Sequence, residues 1–141
     1  MKTSTPATEQ AGKPASEAGQ RTRPTANQTA IMDVNHMPWQ DTPYPGIQMK
    51  MLWHDEASGA STILFKFAPG AKTPLHEHTA LEQTFVLEGG LSDHDGTITA
   101  GNYAVRIAGS VHQAQALPAG SLHIAFFSGK NRMLDDEQKF P

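Results

Sequence analysis

The sequence predicts an all-β domain, a sandwich or barrel, on three observations. From Ile47 onward, short runs rich in Ile, Val, Phe and Leu recur at fairly even intervals. Between them stand Gly, Pro, Asp and Ser, including Asp95-Gly96, a strong two-residue hairpin turn, because glycine accepts the positive φ that other residues resist. No stretch of this core keeps a 3.6-residue period long enough for a helix.

Taken in order, residues 1–30 contain no Ile, Leu, Val, Phe, Tyr or Trp. A segment without bulky apolar side chains cannot offset its conformational entropy, so it is expected to be a disordered or loosely held tail, with the folded domain in residues 31–141. Residues 33–46 carry three prolines and no periodicity, which predicts an extended arm. Strands are expected over 46–54, 61–68, 73–78, 82–88, 90–92, 97–99, 102–107, 111–116 and 121–128. Turns are expected at 68–70, 95–96 and 118–120, and a turn or two of helix over 131–139.

The 141 residues leave room for one domain. The absence of cysteine excludes disulfides, thiolate ligands and a cysteine nucleophile together. With a formal net charge of −3 and scattered Lys and Arg, there is no basic footprint for nucleic acid or an anionic membrane. The first thirty residues lack the apolar stretch of a secretory signal, and nothing later reaches the length of a membrane span. A soluble, cytoplasmic protein with a small-molecule partner is the expectation.

The chemistry concentrates in GAKTPLHEHTALEQTFVLEGG, residues 70–90. Side chains alternate along a strand, so His76 and His78 share a face, and Glu82 has the same parity after a short turn. A distant strand of a barrel can face them, and GNYAVRIAGSVH ends in His112. Three imidazoles and a carboxylate aimed into an interior are costly unless something satisfies them, and the set suits a divalent first-row metal. His36, His54, His94 and His123 have no partners at ligand spacing and are read as structural; Asp93 to Gly96 is read as a turn. Arg106 shares parity with His112 and either faces the metal or makes an outer salt bridge. Tyr103 either offers a hydroxyl near the mouth or packs. Thr84 and Val86 are expected to line the interior, with either Ile63, Phe65 and Phe67 or Thr62, Leu64 and Lys66, the aromatic set being the expected core.

These residues match a known pattern. Residues 70–89 read G-x5-H-x-H-x3-E-x6-G, the first cupin motif without a gap, and residues 101–112 resemble the second, departing at Ile107 where proline is usual; Ala116 stands where asparagine is frequent. Over residues 47–128 the chain resembles the cupin superfamily, and in its arm and the run AGSVHQ it is similar to ChrR-like cupin domains and acetylacetone-cleaving (β-diketone) dioxygenases. The resemblance implies a double-stranded β-helix, the cupin jelly-roll barrel, with one divalent metal per chain held by His76, His78, Glu82 and His112. Fe(II) is the expected ion; Zn(II), Ni(II), Mn(II) and Cu(II) also suit the donors. It further implies a homodimer or tetramer in which the arm adds to a neighbour's sheet.

The expected function is that of a mononuclear non-haem Fe(II) dioxygenase cleaving a C–C bond of a β-diketone or related small carbonyl compound, with dioxygen as co-substrate. The alternative is a non-catalytic Zn-binding sensor or ligand-binding module of the ChrR-like kind. Glu82 is either a metal ligand or a hydrogen-bonding group beside the ligands.

Overall fold

The computed structural model describes residues 24–134. Ten strands appear in chain order: β1 (Gln40–Asp41), β2 (Ile47–His54), β3 (Ser61–Phe67), β4 (His76–His78), β5 (Glu82–Asp93), β6 (Gly96–Thr99), β7 (Tyr103–Arg106), β8 (Val111–His112), β9 (Gln115–Phe127) and β10 (Asn131–Met133). The larger sheet runs β1-β2-β3-β9-β5-β6 with β7 also paired to β5, and the smaller runs β10-β4-β8. Every pairing between strands is antiparallel. Among the described residues no helix is long and apolar enough to cross a membrane.

Alternation sets which side chains meet inside. Ser61, Ile63 and Phe67 of β3, Ser121, His123 and Ala125 of β9, and Glu82, Thr84 and Val86 of β5 are all buried. Of the two alternatives for β3, the structure therefore takes the one with Ile63, Phe65 and Phe67 inward. Tyr44, Ile47, Phe67, Leu91 and Ala116 form the apolar core that closes one end of the interior. Each fully buried Ile, Leu or Phe there stabilises the fold by about 1.5–3 kcal/mol.

Two long strands replace the shorter ones expected. Segments 82–88 and 90–92 are one strand, β5, with an extra residue at Leu87 where the pairing steps from Val86↔His123 to Glu88↔Leu122. That bulge reverses the strand's phase: Glu82, Thr84 and Val86 face inward before it, Leu91 and Asp93 after it. Residues 118–120, expected as a turn, lie within β9. The pairing there jumps from Gly89↔Ser121 to Leu91↔Ala116, so residues 117–120 bow out of the ladder and Pro118 owes it no N–H. Gly89 and Gly120 both take positive φ, and a Cβ on Gly89 would stand 2.0 Å from the Gly120 carbonyl oxygen.

Three other boundaries shift. Segment 73–78 is a strand only over β4. The expected strand 111–116 divides between sheets, Val111–His112 joining the smaller and Gln115 opening β9 in the larger. The expected helical turn over 131–139 is instead β10, which pairs with β4 through Asn131↔His78 and Met133↔His76 and caps the paired histidines; residues 135–139 lie outside those described, as do residues 1–23 of the expected tail.

The arm docks on its own chain. Gln40 and Asp41 pair with Met49 and Gln48 of β2. Two ammonium groups lie over the Trp39 ring, Lys50 Nζ at 4.6 Å and Lys66 Nζ at 4.4 Å from its centroid, and buried Lys50 donates to the Val34 carbonyl at 2.7 Å.

Candidate metal centre

β4 is three residues long, HEH, and its pleat sends Glu77 outward, where it pairs with Arg132, and both histidines inward. His76 is 5% exposed and His78 fully buried. β8 lies beside β4 in a register that sets His112 directly opposite His76. The three imidazole centroids are 4.8, 4.6 and 4.9 Å apart, nearly an equilateral triangle. Its middle lies roughly 3 Å from each ring, where a single ion can accept a nitrogen from all three. Glu82, the first residue of β5, faces the same point, and one donor atom from each of His76, His78, Glu82 and His112 lies within 4.8 Å of every other.

The surrounding bonds select which atoms are left for an ion. His76 Nδ1 lies 2.9 Å from the Pro74 carbonyl, an acceptor, so Nδ1 carries the hydrogen and Nε2 keeps its lone pair. His112 Nδ1 lies 2.8 Å from Asp93 Oδ2, with the same consequence. Thr84 Oγ1 donates to Glu82 Oε1 at 3.0 Å, leaving Oε2. Glu82 Oε2 and His78 Nε2 are 2.9 Å apart but not aligned for a hydrogen bond, and both are buried without one. Such atoms are costly to leave unpaired. A cation between them would satisfy the carboxylate oxygen and His78 Nε2 together, so the donor set fits one divalent metal ion.

Electrostatics agree. Burial raises the Glu82 carboxyl, but His78, Arg106 and the Thr84 hydroxyl outweigh it and hold the pKa at about 2. Burial and the Arg106 charge push His112 down to about 4 against the opposing pull of Asp93, and burial also lowers His76. The cluster thus offers a carboxylate at Glu82 and, at His76 and His112, imidazoles uncharged near neutrality, the protonation states a metal requires.

Two residues of this neighbourhood escaped the sequence reading. Asp93, read as part of a turn, does end β5 at the hairpin, but its buried Oδ2 accepts from both Arg106 (2.7 Å) and His112 (2.8 Å). It therefore orients a candidate ligand and neutralises the guanidinium. Arg106 takes the first of its two alternatives: it faces the interior, and its salt bridge is made there with Asp93 and not on the outer face. His123, read as structural, lines the same cavity as His76, Glu82 and His112. The phase reversal at Leu87 hid Asp93, and only the pairing of β9 with Phe65 and Val86 reveals His123. Tyr103 lies on the outer face, 53% exposed, donating to Gln83 Oε1 at 2.9 Å. His36 bonds Asp33 and His94 stands near Asp95, both exposed, while His54 reaches the cavity rim.

The cavity holds about 420 Å³. Its walls are mainly apolar, from Met49, Met51, Ile63, Phe65 and Phe127, and Arg106, His76, Glu82 and His112 also line it.

Residues 27–131 match a family model described as the ChrR cupin-like domain. An RmlC-like cupin protein from Ralstonia eutropha superposes with a TM-score of 0.70 at 22% identity, covering 81% of this chain and 77% of the other. An acetylacetone dioxygenase from Acinetobacter johnsonii gives 0.67 at 20% identity, covering 85% and 86%. A chain of the complex of Rhodobacter sphaeroides SigE with the anti-sigma ChrR gives 0.59 at 22%, covering 67% of this chain and 51% of that one. At these identities the likeness establishes the fold. No curated protein matches the sequence.

Proposed function

This chain belongs to the ChrR cupin-like domain family, and from that premise we propose that its barrel works as an Fe(II) dioxygenase cleaving a C–C bond of a β-diketone or a related small carbonyl compound. The observation that carries this reading is the apolar cavity opening directly onto the His76, His78, Glu82 and His112 cluster. A centre serving only to hold the fold together has no need of a ligand-sized space beside it.

When bound, Fe(II) supplies Lewis acidity toward two substrate oxygens and the redox partner for dioxygen. The rest is done by side chains. His76 and His112 are held in one tautomer by Pro74 and Asp93. Glu82 and Asp93 contribute two negative charges and Arg106 one positive, so a divalent ion brings the site to a single positive charge, matched to a monoanionic enolate. Glu82, at about 2, is too weak a base to take the substrate's proton; its carboxylate serves to hold charge. Phe65, Phe127, Ile63 and the methionines exclude water from the enolate. Cleavage consumes one dioxygen and leaves one of its atoms on each fragment.

A second reading rests on the closed character of the cluster, in which Glu82 Oε2 stands 2.9 Å from His78 Nε2. Four protein donors around Zn(II) would make a non-catalytic sensor or ligand-binding module. Elemental analysis of protein purified without added metal, followed by anaerobic Fe(II) loading and oxygen uptake with a panel of β-diketones, separates the two. Iron with oxygen consumption supports the dioxygenase; stoichiometric zinc without turnover refutes it in favour of the module.

A further inference from the structure

His123 is a buried titratable side chain in the cavity that the chemistry above does not use. It is 4% exposed, stacks on Phe65 at 5.4 Å and 29°, and meets Phe67 edge-on at 4.9 Å. Its Nδ1 lies 2.9 Å from the hydroxyl of Ser121, itself buried. Among the described residues that hydroxyl has no other partner. Were Nδ1 the donor, the serine proton would be buried without an acceptor; with the serine donating, both groups are satisfied. Nε2 then carries the imidazole hydrogen, and it has no partner among the described residues. Burial holds the ring down to about 4, so it is neutral at physiological pH. The ring is thus a fixed, uncharged N–H donor in the wall of the cavity.

Its place relative to the candidate centre follows from the pairing of β9 with β5. Glu82 lies opposite Phe127, Thr84 opposite Ala125, and Val86 opposite His123. His123 is two inward-facing rows deeper than Glu82, roughly 13 Å along the strand by its rise. Both ends nevertheless border one cavity: Glu82 and His123 line it, and Ile63, Phe65 and Phe127 give the space they share an apolar wall.

We infer that His123 is a binding residue for a third oxygen of the ligand, and that the substrate class is therefore an enolisable 1,3-dicarbonyl compound bearing a further neutral carbonyl or hydroxyl group beyond a short apolar segment. This rests on the reading of the site as a metal-bound enolate pocket. The chelating oxygens lie at the His76, His78, Glu82 and His112 end beside Arg106. The third oxygen accepts from His123 Nε2, a neutral donor among Phe65 and Phe67 that favours an uncharged acceptor over a second carboxylate.

The test is calorimetric binding to the zinc-loaded protein, in which no turnover occurs. Heptane-2,4,6-trione and nonane-2,4,8-trione are compared with heptane-2,4-dione and nonane-2,4-dione, matched in length but lacking the third oxygen. At least one trione is expected to bind about tenfold more tightly than its matched dione, the worth of one buried hydrogen bond. His123→Phe, which keeps a stacked ring, is expected to abolish that preference, and His123→Gln, which keeps an N–H donor, to retain part of it. Equal binding of triones and diones by the unmodified protein overturns the inference alone, as does a preference that survives in His123→Phe. Failure of the unmodified protein to bind any of the four overturns the enolate-pocket reading and the inference with it.

Discussion

Asp93→Ala removes a carboxylate that serves two partners at once. Its Oδ2 accepts from Arg106 at 2.7 Å and from His112 Nδ1 at 2.8 Å, and its Oδ1 accepts the Asp95 backbone N–H at 2.9 Å. Loss of the carboxylate leaves a guanidinium, only 16% exposed, without its hydrogen-bonded partner, Glu82 being the negative charge that remains beside it. Breaking a buried pair from one side costs about 3–5 kcal/mol, and because Arg106 keeps some water the lower figure, about 3 kcal/mol, applies. For a domain of this size that is a fall of roughly 10–15 °C in melting temperature. His112 at the same time loses the acceptor that fixes its tautomer, a change that weakens metal binding by about tenfold to hundredfold. Thermal denaturation of the metal-free protein reads the first effect, and chelator competition for zinc reads the second. Asp95→Ala, which removes a carboxylate 83% exposed, serves as the control and leaves both unchanged. An Asp93→Ala protein that melts with the unmodified one and holds zinc as tightly would refute the argument that this carboxylate supports His112.

Glu82→Gln keeps the acceptor for Thr84 Oγ1 but removes the charge at Oε2; zinc affinity in the same competition assay should fall at least about tenfold, and unchanged affinity would place the carboxylate outside the ion's ligands. Gly89→Ala puts a methyl 2.0 Å from the Gly120 oxygen at a φ of +65°, so it should cost more than about 3 kcal/mol in urea denaturation. Gly109→Ala, where the same methyl meets open space, should cost only about 1 kcal/mol for its positive φ. His123 contributes to the pH dependence of the metal-free protein alongside His112 and His76, its folded pKa of about 4 lying below its ordinary 6.5. The unfolded chain takes the proton first, so this residue's stabilisation is complete above about pH 6.5 and lost as pH falls toward 4, about 3 kcal/mol for His123. Denaturation across that window should show a shallower decline in His123→Phe than in the unmodified protein; equal slopes would mean that His123 titrates normally in the fold.

The quartet His76, His78, Glu82 and His112 was legible because alternation is a local rule and HEH is too short to break it. The long-range partner, His112, was legible only through the spacing of its glycines. What stayed hidden depends on phase and pairing. Asp93 reads as outward when parity is counted from Glu82, and only the extra residue at Leu87 turns it inward. His123 is one apolar-run histidine among others until Phe65 and Val86 are known to flank it. The proline in LPAG suggested a turn because the sequence does not show that β9 bows out of its ladder there and then continues. In NRM, three residues are too few for a pattern, and their strand character comes from β4 alongside.

The extra residue at Leu87 makes the length of β5, as well as its composition, a determinant of the chemistry. Deleting that residue would turn the far half of the strand over, sending Leu91 and Asp93 into water and Ser92 into the interior. Deleting a second would restore the facing but draw the carboxylate roughly 7 Å back from His112. Insertions and grafts are therefore tolerated past the end of the strand, at the exposed hairpin tip of His94 and Asp95, while the ten residues between Glu82 and Asp93 behave as a fixed-length spacer.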